Sequence, residues 1–138
     1  MNENQTDSWI PIENSTQWHQ LAESCDYFED GVVRELSWTG GEYVDANRQM
    51  NFKGLPFVWL LIQTQNASAP AIEFLVMDAV EIRLDHSFAP EFNMVFGANG
   101  ILFELSPSGA GFIRGAQLFY RMPERQSLGE TGLLTGHE

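Results

Sequence analysis

"FEDGVVRELSWTGGEYVD", residues 28–45, is the stretch on which the reading of this chain turns. From Val32 the period is two: Val32, Leu36 and Trp38 share one face, and Val33, Glu35 and Ser37 share the other. Arg34 sits on the mainly apolar face and is the flaw in the pattern. Gly40-Gly41 is a dipeptide suited to a hairpin turn. After it, "EYVDANRQMNF" alternates Val44, Ala46, Met50 and Phe52 against Asp45, Asn47, Gln49 and Asn51. The simplest reading is a β-hairpin with its turn at Gly40-Gly41.

Working outward, the same period recurs. "LPFVWLLIQTQ" is apolar on both faces through Ile62, as for a central strand covered on each side. "AIEFLVM" is a strand that Asp78-Ala79 can bend into "VEIRL". "FNMVF" ends at "GANG", and "ILFELS" and "FIRGAQLFYRM" pair around the "PSGAG" turn. Upstream, Trp18, Leu21, Ala22 and Cys25 fall at helical spacing, with Ser15 or Thr16 to cap the helix. The pattern predicts a mainly β fold: an antiparallel sandwich or barrel of about seven or eight strands with one short N-terminal helix. Residues 1–14 read as an irregular lead-in, 15–122 as a single domain and 123–138 as a loosely ordered tail. The core is expected from Val32, Leu36, Trp38, Val44, Phe57, Trp59, Leu61, Phe74, Ile82, Phe103 and Phe119.

Composition limits the function. The chain has 138 residues, enough for one ordinary domain with a real core. Its 19 acids against 7 bases leave a formal charge of −12. That charge repels phosphate backbones and anionic lipid surfaces, so neither nucleic acid nor membrane is the expected partner. It attracts a basic protein, or it serves solubility alone. A single cysteine allows no internal disulfide, and the polar start "MNENQTDSW" has no signal-peptide pattern. The cytoplasm is the expected compartment.

No motif carries chemistry by itself, and no cofactor or metal is implied. His86 sits near Asp78, Glu81 and Asp85, but adjacent strand residues point to opposite faces and cannot share one ion. Cys25 lies on the Trp18/Leu21 face, where an inert buried thiol is expected. One cluster stands apart: "ESCDYFEDG" gathers Glu23, Asp26, Glu29 and Asp30 around Tyr27 and Phe28, between helix and first strand. Acids beside an exposed aromatic suit recognition of a basic partner, with Tyr27 as anchor and Glu23, Asp26, Glu29 and Asp30 as steering charges. Phe28 is expected in the core.

"FEDGVVRELSWTGGEYV" also resembles the Phe-x-Asp segment and alternating strand that begin a group of small β-rich bacterial proteins, some of them predicted immunity proteins of polymorphic toxin systems. "FIRGAQLFYR" is similar to their last strand. The resemblance implies an all-β, non-enzymatic cytoplasmic protein. Taken with the charge of −12, the first expectation is an immunity or inhibitor protein that neutralises a basic, toxin-like partner. The competing readings are a small-molecule-binding barrel or an enzyme using the aromatic interior, and a structural subunit of an assembly.

Overall fold

The computed structural model describes residues 9–29, 31–65, 70–84, 91–106 and 110–123. Eleven strands and one helix occupy them: β1 (Ile10–Ile12), α1 (Ser15–Ser24), β2 (Val32–Thr39), β3 (Tyr43–Val44), β4 (Met50–Asn51), β5 (Phe57–Gln63), β6 (Ala71–Met77), β7 (Glu81–Arg83), β8 (Asn93–Gly97), β9 (Gly100–Glu104), β10 (Phe112–Gly115) and β11 (Gln117–Arg121). The strands form a five-stranded sheet ordered β1-β11-β6-β5-β2, a four-stranded sheet ordered β7-β10-β9-β8, and a separate β3-β4 pair. All their pairings are antiparallel. The fold is mainly β, and its sheets are not closed into a barrel, as in a sandwich.

The both-faced apolar strand is central, as its sequence requires: β5 lies between β6 and β2. Val58, Leu60 and Ile62 turn into the core with Ile72, Phe74 and Val76 of β6 and Leu118 of β11. The four-stranded sheet contributes Met94, Ile101, Phe103 and Ile113. Helix α1 completes the core with Trp18, Leu21 and Ala22. Its cap is Asn14, whose side-chain Oδ1 accepts from Gln17 N at 2.9 Å, rather than Ser15 or Thr16. Four rings meet at the centre: Trp18 stands 5.6 Å from Phe28 and from Phe103, and Phe74 stands 5.1 Å from Phe103.

Several sequence expectations are corrected here. The lead-in is not irregular throughout, because β1 pairs with β11. The opening stretch is not a hairpin about Gly40-Gly41: β2 pairs with β5, and residues 43–51 fold back on themselves as β3 and β4. Asp45 explains this. Its carboxylate accepts from Asn47 N at 2.9 Å and Gln49 N at 3.0 Å, a turn that competes with a continuous strand. Arg34 is not a flaw on an apolar face but the site of a bulge. The register shifts between Val33 and Glu35, so Val33, not Val32, shares the face of Leu36 and Trp38. "FIRGAQLFYR" is likewise two strands. The chain crosses between sheets at Gly115, where an added Cβ would collide with Val76, so only glycine allows this approach.

The expected core is corrected accordingly. Leu61, Phe74 and Phe103 are buried, and Leu36, Phe57, Trp59, Ile82 and Phe119 are half-buried. Val32, Trp38 and Val44 are exposed, because β2 is an edge strand and Val44 lies outside both large sheets.

Leu61 and Ala71 are buried on the face of the five-stranded sheet away from the main core, with Trp59 against them. Beside them Glu73 is buried and fully engaged. It accepts from the Trp59 indole N–H at 2.7 Å and from Arg121 Nε and a terminal guanidinium nitrogen, each at 3.1 Å. The guanidinium lies 4.2 Å over the Trp9 ring, which ties the segment before β1 to β11.

Candidate protein-binding surface

Helix α1 ends at Cys25, and the chain then makes one left-handed turn. Asp26, Tyr27 and Phe28 have φ of 58°, 57° and 57°. Asp visits this region readily, whereas consecutive aromatics do so at a cost on the order of 1–3 kcal/mol each. Three i→i+3 backbone bonds hold the turn: Phe28 N to Cys25 O and Glu29 N to Asp26 O, both 3.1 Å, and Gly31 N to Phe28 O at 2.8 Å. Phe28 supplies the compensation. Its ring is buried against Trp18 and stands 6.0 Å from both Phe74 and Phe92.

The consequence is a fixed display. With Phe28 locked inward, Tyr27 is held outward at 62% exposure. Glu23, Asp26 and Glu29, its near neighbours in the chain, are all exposed. Four of the five residues singled out from the sequence therefore stand at the end of α1 and in the turn that follows, and Asp30 lies outside the described residues. The sequence places Phe28 inside and the structure agrees. What no sequence signal carried is the left-handed backbone that separates the two rings.

The other candidates for chemistry resolve more simply. Cys25 is 1% exposed. Burial pushes its thiol pKa up, and the Ser24 hydroxyl 3.8 Å away pulls it back only in part. A thiol reagent is expected to label Cys25 slowly in the native protein and rapidly after denaturation; fast native labelling would put a reactive nucleophile back in play. His19 is exposed on α1, and His86 and Asp85 lie outside the described residues. Among the described residues no group of three His, Cys, Asp or Glu side chains is placed to hold a metal ion. Glu81 pairs with Arg114 at 3.0 Å on the surface.

Surface hollows are also found among the described residues. One, of about 440 Å³, lies over the β8–β9 turn beside Arg114, and another, of about 270 Å³, lies between β1 and α1. Among the described residues no helix is long and apolar enough to cross a membrane. Comparison of the chain with protein-family models, curated proteins and solved structures finds no match in any of the three.

Proposed function

We propose that this chain is a non-enzymatic, acidic protein-binding domain that docks a basic partner, acting in the cytoplasm as an immunity or inhibitor protein. One observation carries the reading: a strained turn holds Tyr27 out among exposed carboxylates while its neighbour Phe28 is fixed in the core. Strain of this kind persists only where the surroundings over-determine it, and it concentrates at sites of recognition. A pre-positioned aromatic loses little freedom on docking, which suits an anchor. The carboxylates near it in the chain, on a protein of charge −12, steer a cationic surface toward it. An inhibitor that covers the basic substrate cleft of a toxin needs those two properties and no reaction of its own.

The test is kinetic. Immobilised chain is used to isolate a basic partner from the source cells, and surface-binding rates are then measured at two salt concentrations. E23Q/D26N/E29Q/D30N is expected to slow association about tenfold or more and to flatten its salt dependence, with dissociation nearly unchanged. Tyr27→Ala is expected to do the reverse, speeding dissociation. An unchanged on-rate and salt slope in the quadruple variant would remove the turn from the interface.

A further inference from the structure

The β3–β4 pair is a short arm that belongs to neither large sheet. Val44 and Met50 are directly opposite and share one face of it, while Tyr43, adjacent to Val44, points to the other. All three are more than half exposed, as is Phe52 at 71%. Both faces of the arm are therefore open. At its base, an added Cβ on Gly41 would collide with the Gly54 carbonyl, so two glycines pinch the entering and leaving chains together. Beside the base, Trp38 lies against Gly40 and is 56% exposed, and Leu55 is equally so. A two-stranded hairpin is marginal in water, and one that shows apolar side chains on both faces calls for a cover.

We propose that the cover is a second copy of this chain, in a two-fold dimer where each arm lies across β2 of the other copy. Three observations choose this occupant. The first is charge: residues 31–65 contain three acids and three bases on a chain of charge −12. This neutral stretch can meet its own copy without the repulsion that the rest of the molecule imposes, and it offers nothing to steer a basic protein. Opposite charges are available to both elements, with Arg34 and Glu35 on β2 and Glu42, Asp45 and Lys53 on the arm and its flanks.

The second observation is area. Taking roughly 200 Å² for each large side chain, Trp38, Tyr43, Val44, Met50, Phe52 and Leu55 expose on the order of 700 Å². A standard interface buries about 800 Å² per partner. The third is the edge itself. Among the described residues β2 has no strand on its outer side, and Val32 and Val33 stand exposed along it. The bulge at Arg34 discourages simple extension of the sheet, so the arm packs across β2 by its side chains.

Sedimentation equilibrium of the wild-type chain from about 1 to 100 μM tests this, an interval that brackets ordinary self-association. The expected mass is twice the 15.6 kDa of one chain at the upper end. M50S/F52S removes four apolar contacts from a two-fold interface and is expected to weaken the dimer about a hundredfold or more. R34E/K53E reverses two of these charges without touching an apolar side chain, and is expected to weaken the dimer with a loss that added salt reduces. Tyr27→Ala is expected to dimerise as the wild type does, which keeps the result separate from the basic-partner reading. A wild-type chain that stays at 15.6 kDa throughout overturns the proposal, as does unaltered dimerisation of the folded charge-reversal variant.

Discussion

Phe74→Ala is expected to lower the free energy of unfolding by roughly 3–5 kcal/mol, read as a shift of the denaturant midpoint. Phe74 is fully buried on β6, and its ring stands 5.1 Å from Phe103, 5.9 Å from Trp18 and 6.0 Å from Phe28. Truncation removes the contact at which both sheets and α1 meet, and close-packed rings on every side cannot collapse into the space. The same experiment on Trp38→Ala, at a chain concentration low enough to keep the protein monomeric, is expected to change stability by less than about 1 kcal/mol, because that indole is more than half exposed at a sheet edge. A large loss at Trp38 with a small one at Phe74 would invert the assignment of the core.

Arg121→Met is expected to cost about 3 kcal/mol or more. Glu73 is 6% exposed, and two of its three described donors come from Arg121. Removing the guanidinium leaves a buried carboxylate with the Trp59 indole N–H and too little else. The penalty belongs to the orphaned charge and not to the strength of the pair. Glu73→Leu combined with Arg121→Met is therefore expected to recover part of the loss: the orphaned charge is gone, and the half-buried Trp59 N–H is left without its acceptor. If the double variant is no more stable than Arg121→Met alone, the pair is instead a net source of stability. The choice matters for the fold, because the Arg121 guanidinium also lies over Trp9 and so joins β11 to the segment before β1.

Much of this architecture is legible along the chain because strand alternation and helical spacing are local. Trp18, Leu21, Ala22 and Cys25 fall on one helical face by spacing alone, and all four are buried. "FVWLLI" is apolar at every position, and only a strand with neighbours and cover on both faces accommodates that. Tyr27 and Phe28 are harder. Adjacent aromatics beside acids state that one ring is anchored and one displayed, but the sequence does not say what backbone divides them.

What the sequence by itself determined is the antiparallel β class, the helix, the centrality of β5 and a charge that must be screened, steered by or partnered. Those properties follow from periodicity and composition, which every residue carries wherever the chain goes. Tertiary structure alone decided which strand pairs with which. β2 reads as half of a hairpin with residues 42–52, yet the Asp45 turn folds those residues on themselves, and β2 gains seven apolar-flanked pairings with β5 instead. One residue bulged at Arg34 then turns Val32 away from the face it shares by count with Leu36 and Trp38. Because side chains alternate with a period of two, a single extra residue reverses every face assignment before it. The left-handed turn that frees Tyr27 is of the same kind: its cost is local, but the packing of Phe28 against Trp18, Phe74 and Phe92 that offsets it comes from distant parts of the chain.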